Sequence, residues 1–197
     1  MARRILLLTT GGTIASLPTK EGLAPGLAGA ELAGLLPRGI TDAYDLTIQD
    51  ILHLDSSNIQ PEEWQTIARH VFDNRREYDG IVITHGTDTM AYTASVLSFM
   101  LRGIAIPVVL TGAQLPMTHP LSDGLENLRT ALAMAASGVA GVFLAFDRKV
   151  ILGCRAVKTR TTDFDAFESV NWPLAGMVDG KGLQIRRESI PTPAGGC

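Results

Sequence analysis

The chain has 197 residues, 46% of them hydrophobic and 19% charged, with a formal net charge of −3. These values fit one globular domain with a real core and exclude an intrinsically disordered chain. They also argue against a nucleic-acid binder, because the one basic stretch, Lys149 to Arg160, is interrupted by apolar residues.

In chain order, the first predicted element is a strand over Ile5 to Leu8. The start "MARRILLLTTGG" has the positive end of a signal peptide, but its apolar run is too short for one and meets glycines at once. No stretch approaches the roughly 20 apolar residues of a membrane span. A soluble, cytoplasmic protein with no membrane partner is therefore expected. Gly22 to Gly29, "GLAPGLAG", reads as a flexible loop, and a short helix follows from Ala30. Leu46 to Leu54 alternates in part and reads as a strand. Pro61 suits the first turn of a helix, where its missing N–H costs nothing. The spacing of Trp64, Ile67, Ala68, Val71 and Phe72 predicts that they face inward from it.

Further on, Ile81 to Thr84 and Val108 to Leu110 read as buried strands, and Tyr92 to Met100 and Leu125 to Ala136 as helices. Val142 to Phe146 is a strand with Lys149 to Val157 as its hairpin partner. Met177 to Ile185 reads as a second hairpin turning at Asp179-Gly180, and residues 191–197 as a linker-like tail. Strands alternating with helices, then β-rich sequence, predict a three-layer α/β domain. Its sheet is largely parallel and flanked by helices, with a C-terminal β-hairpin.

The chemistry falls at strand ends. The first strand runs into "TTGGT", the second into "LDSSN", the third into "THGTDT" and the fourth into "TGAQLP". In a parallel sheet all these ends share one edge, where ligands bind. Each stretch also has a plain reading. Asp55, Ser56, Ser57 and Asn58 suit a helix cap before Pro61. Thr13 behind Gly11 and Gly12 suits a tight turn, and His85 a local hydrogen bond. Repetition at successive ends is what capping alone does not produce.

Phosphate binding is disfavoured, because neither GxxxxGK[ST] nor GxGxxG is present. There is no HExxH, and the only cysteines, Cys154 and Cys197, form no CxxC, so no metal or cofactor is expected. Two unpaired thiols are the simplest reading of that pair.

Taken together, "TTGGTIAS" at 9–16, "HGTDTMAYTA" at 85–94, "LTGAQLP" at 110–116 and "VKTRTTDFDAFESVN" at 157–171 resemble the bacterial-type L-asparaginases, in order and spacing. With "GLAP" after the first motif, the resemblance is to the intracellular branch. It covers almost the whole chain, and the expected organisation is the family's N-terminal domain over residues 1–190 without its C-terminal domain.

The resemblance implies hydrolysis of L-asparagine to L-aspartate and ammonia by an amidohydrolase that assembles as a homo-oligomer, dimer or tetramer. It implies that Thr13 is the nucleophile, that Thr87, Asp88 and Lys158 form a supporting group, and that Asp88 holds the substrate ammonium. Ser56, Ala113 through its backbone, Gly12 and Ser57 are implied as substrate contacts, Ser57 standing where many relatives have glutamine. A weak or non-catalytic aspartate- or asparagine-binding domain is the alternative, motivated by the missing domain. A further departure is the loop after the first motif: no tyrosine lies between Ser16 and Leu36, where many relatives carry one. Elementary electrostatics leaves the base open. A lysine beside a carboxylate is held protonated and cannot accept a proton. Either Lys158 loses its proton by desolvation or it orients Thr87.

Overall fold

The computed structural model of the protein describes residues 2–19, 22–25 and 27–191. The N-terminal part contains β1 (Arg3–Gly11), β2 (Ser16–Thr19), β3 (Gly22–Pro25), α1 (Gly29–Gly34), α2 (Arg38–Thr41) and β4 (Tyr44–Leu54). The middle follows as α3 (Pro61–Asn74), β5 (Gly80–Thr84), α4 (Met90–Met100), β6 (Pro107–Thr111), α5 (Gly124–Ala135) and β7 (Gly141–Phe146). The last part is all strand: β8 (Lys149–Leu152), β9 (Ala156–Lys158), β10 (Phe167–Ser169), β11 (Gly176–Asp179) and β12 (Gly182–Ile185).

The main sheet has eight strands in the order β12-β11-β8-β7-β6-β5-β1-β4. β4, β1, β5, β6 and β7 are mutually parallel. β8 and the β11–β12 hairpin extend one side antiparallel, the hairpin pairing Asp179 with Gly182. Numbering only the parallel strands in chain order gives 2-1-3-4-5. That is a doubly wound arrangement, whose ligand crevice opens at the carboxyl ends of the strands beside the point where the winding reverses. Here that point lies between β1 and β5.

Period-two alternation sorts the core into two layers. Leu6, Leu8, Ile81, Ile83, Val108 and Leu110 face α3 and α4. Ile5, Leu7, Val82 and Val109 face the opposite way, onto Leu32, Leu36 and Ile40 around α1 and α2 and onto α5. Because β1, β5 and β6 are covered on both faces, they read as unbroken apolar runs. β4, at the edge, keeps a half-exposed alternating pattern.

Local signals work where they were expected. Pro61 occupies the first turn of α3, and the Gln60 N–H donates to Glu63 Oε2 at 2.6 Å. Ile67, Ala68 and Val71 are buried, and Trp64 is half-buried. Phe72 corrects the prediction: it is 53% exposed, with the Arg75 guanidinium 3.4 Å from its ring centroid. One residue past Val71 turns it about 100° off the buried stripe. The expected loop over 22–29 is also corrected. Gly22–Pro25 pairs antiparallel with Ser16–Thr19 as a small hairpin.

Lys149 to Val157 is not one strand either. The chain makes a 3-10 turn at Gly153–Arg155. Beyond that turn it pairs β9 with β10, away from the main sheet. A side chain at Gly153 would run into Ser98 and the Ala94 carbonyl of α4, so the turn is set by close approach to that helix. The linker-like tail falls outside the described residues beyond 191, as does Cys197; Cys154 is exposed.

Candidate active site

Thr13 follows β1 in a 3-10 turn, Thr13–Ala15. The turn is preceded by Gly12 at φ 82°, a conformation open to glycine. The β1–β4 register slips between Thr9 and Gly11, which lifts the chain out of the ladder just before the threonine. Ser16 Oγ then donates to the Gly12 carbonyl at 2.9 Å and closes the turn. Thr13 is half-buried.

Thr87 and Asp88 follow β5, next to β1 in the sheet. Lys158, at the end of β9, donates to Thr87 Oγ1 at 2.9 Å and to Asp88 Oδ1 at 2.8 Å. The lysine side chain is 15% exposed and the aspartate 64%. The pair is thus anchored on the lysine side and wet on the carboxylate side. Thr87 Oγ1 also donates to Gln114 Oε1 at 3.2 Å, so its proton is already committed. Gln114 Nε2 reaches the carbonyls of Thr161 and Asp163 at 2.9 Å each, joining the turn after β6 to the segment after β9.

Ser56 is buried at the end of β4, and its carbonyl accepts from Thr89 Oγ1 at 2.8 Å. Asp55 accepts from the Ser57 N–H at 3.0 Å, which corrects the expected cap: it closes the 3-10 turn Ser56–Asn58, while Gln60 takes the N-cap of α3.

Gly12, Thr13, Ser16, Asp55, Ser56, Gly86, Thr87 and Asp88 surround a cavity of about 130 Å³. Pockets for drug-sized ligands run to about 300–1,000 Å³, so only a small molecule fits here. The expected residues Gly12, Thr13, Ser56, Thr87 and Asp88 therefore converge, and Lys158 joins through its bonds. Ser57 does not line the cavity: it is exposed. Ala113 is buried against Ile14 and Ala15, in the turn that carries Thr13. Ser16 and Gln114 belong to the site without having been singled out, and Asp55, read only as a cap, lines it as well. Their signals were present, since each lies within the same strand-end motifs.

Behind the cavity lies His85, fully buried. Nδ1 is 2.7 Å from the Gly86 carbonyl and Nε2 is 2.9 Å from Thr93 Oγ1. Burial pushes its pKa down to about 4, partly opposed by the bond to Gly86, so the ring is neutral at pH 7. Among the described residues no cluster of His, Cys, Asp or Glu is arranged to hold a metal ion, and no helix is long and apolar enough to cross a membrane.

A doubly wound sheet that brings two threonines, a lysine and an aspartate to its switch point defines a small polar crevice of the kind that binds small molecules. The chain belongs to the asparaginase family: the family model described as "Asparaginase, N-terminal" matches residues 4–191. It is 48% identical to the L-asparaginase of Thermococcus kodakarensis, over 94% of this chain and 56% of the relative. It is 40% identical to L-asparaginase 1 of Escherichia coli K12, over 96% of this chain and 56% of the relative. The solved thermostable L-asparaginase from Thermococcus kodakarensis superposes with a TM-score of 0.89 at 48% identity, over 98% of this chain and 58% of that one. The chain thus spans about half the length of the curated relatives it matches.

Proposed function

We propose that the protein hydrolyses L-asparagine to L-aspartate and ammonia through a threonine acyl-enzyme. One observation carries the reading. Thr13 faces the same small cavity as Thr87 and Asp88, with Lys158 bonded to both of the latter.

The substrate's ammonium pairs with the Asp88 carboxylate, and its α-carboxylate takes hydrogen bonds from Ser56 and nearby backbone N–H groups. Thr13 Oγ attacks the side-chain amide carbon, and its proton passes to the amide nitrogen. The C–N bond breaks, ammonia leaves, and an ester to Thr13 remains. Water adds to the ester, the C–O bond to Thr13 breaks, and aspartate is released with the Thr13 hydroxyl restored. N–H donors at the glycine-bearing turns stabilise each tetrahedral oxyanion. In this reading the Lys158 ammonium orients Thr87, whose proton rests on Gln114, and adds positive charge beside the developing oxyanion. Assembly as a homo-oligomer in the cytoplasm belongs to the same proposal.

The test is ammonia release from L-asparagine by the protein and by Thr13→Ala. Turnover by the parent that vanishes in a variant with an unchanged melting temperature supports the reading. Equal turnover in both sinks it. The 64% exposure of Asp88 favours a second reading, in which the protein binds asparagine or aspartate without turnover. Calorimetric binding with no ammonia release is its signature.

A further inference from the structure

His85 is the buried titratable group that the proposed reaction does not use, and its surroundings assign it one. The Gly86 carbonyl can only accept, so Nδ1 carries the proton. Nε2 is then an acceptor, and Thr93 Oγ1 donates to it at 2.9 Å. Trp64 Nε1, a donor only, supplies Thr93 Oγ1 at 2.8 Å. For the neutral ring, donor-only indole and acceptor-only carbonyl leave one arrangement of protons: Trp64 to Thr93 to His85 to the Gly86 carbonyl. The chain runs from α3 through α4 to the residue before Thr87, and buried bonds of this kind hold position firmly.

The peptide it holds touches the other loops of the site. A side chain on Gly12 would come within 2.5 Å of Gly86 N. One on Gly86 would overlap Ser56 Oγ, and one on Gly112 would overlap the His85 carbonyl. The turns after β1, β4 and β6 thus pack directly on the 85–86 backbone.

We propose that neutral His85, held by Trp64 and Thr93, is the positioning residue that sets the spacing of these strand-end loops and so aligns Thr13 with Thr87. The inference rests on the asparaginase reading for its kinetic consequence and on packing alone for its structural one.

The experiment compares the parent with His85→Leu, which removes the bond, and His85→Asn, whose amide nitrogen reproduces Nδ1. Each is measured for ammonia release from L-asparagine and for amide hydrogen exchange. His85→Leu is expected to lower kcat about 10- to 100-fold, the scale for misplacing reacting groups by about 1 Å. KM moves less than about threefold, and His85→Asn recovers kcat to within about threefold on the same scale. In His85→Leu, exchange quickens together at residues 11–14, 55–58, 86–89 and 112–115, with the interiors of β1 and β5 unchanged. A kcat per folded molecule equal to the parent's in both variants overturns the inference. So does exchange that quickens at 85–88 alone. If the parent releases no ammonia, the asparaginase reading fails while the exchange pattern still decides the positioning role. If His85→Leu does not fold, Thr93→Val, which removes the donor to Nε2 and the acceptor for Trp64 Nε1 but leaves the His85 ring in place, is expected to show the same exchange pattern at smaller amplitude; its absence there overturns the inference.

Discussion

The two halves of the site are held in different ways. The turn after β5 is fixed by side chains: His85 bonds the Gly86 carbonyl, Lys158 and Gln114 bond Thr87, and Thr89 bonds the Ser56 carbonyl. Among the described residues, the segment from Thr13 to Gly29 is held by the pairing of β2 with β3 and by bonds at its two ends. Ser16 Oγ closes its start on the Gly12 carbonyl. Leu27 N donates to the Ala15 carbonyl at 2.8 Å, and Gly29 N donates to both Asp50 carboxylate oxygens, at 2.9 and 3.1 Å. Thr9 also bonds Asp50. One half is preorganised by a network rooted in the core, and the other is a small hairpin clipped at its base.

Three perturbations break or sharpen this contrast. The largest effect is expected for Lys158→Met, which removes both bonds that join β9 to Thr87 and Asp88. A loss of about 10²- to 10⁴-fold in kcat, the range for a positioned polar group in proton transfer, is expected with little change in melting temperature. A change in KM alone would place Lys158 with the hairpin side of the site.

The pH dependence of stability isolates the network half. His85 has its pKa lowered to about 4 in the folded chain, against about 6.5 unfolded. Between these values the unfolded chain binds the extra proton, so stability rises with pH across that window and is lost as pH falls from about 6.5 toward 4. The contribution is roughly 3 kcal/mol. Urea unfolding at stepped pH measures it. The slope is expected to flatten in His85→Asn; an equally steep slope there would assign it to other groups.

The smallest effect belongs to the hairpin clip. Asp50→Ala removes the acceptor for Gly29 N and Thr9, at a cost of about 0.5–2 kcal/mol, like the loss of a helix cap. KM for asparagine is expected to rise severalfold, with kcat within about twofold. Steady-state kinetics checks this. A fall in kcat as large as that of Lys158→Met would mean the two halves are one unit.

Most of the site was legible because its parts are local. The central strands β1, β5 and β6 announce themselves by apolar runs, and the strand ends at the site carry their hydroxyls, glycines and acids within a few residues. Gln114 lay in plain view within "TGAQLP", yet its role depends on Thr161 and Asp163, more than 40 residues away. Ser57 shares its motif with Ser56, but the 3-10 turn at Ser56–Asn58 buries one and exposes the other. Phe72 looked like core because it adjoins Val71, and only the angle around α3 separates them.

By itself, then, the sequence determined the three-layer α/β class, the parallel strands and the residues gathered at their ends, because period, turn chemistry and motif are short-range properties. The tertiary structure decided which of those residues meet. It placed the switch point between β1 and β5, carried Lys158 to Thr87 across 71 residues, and stacked Trp64, Thr93 and His85 behind the cavity. Such pairings follow from strand order and helix packing, which no local pattern specifies.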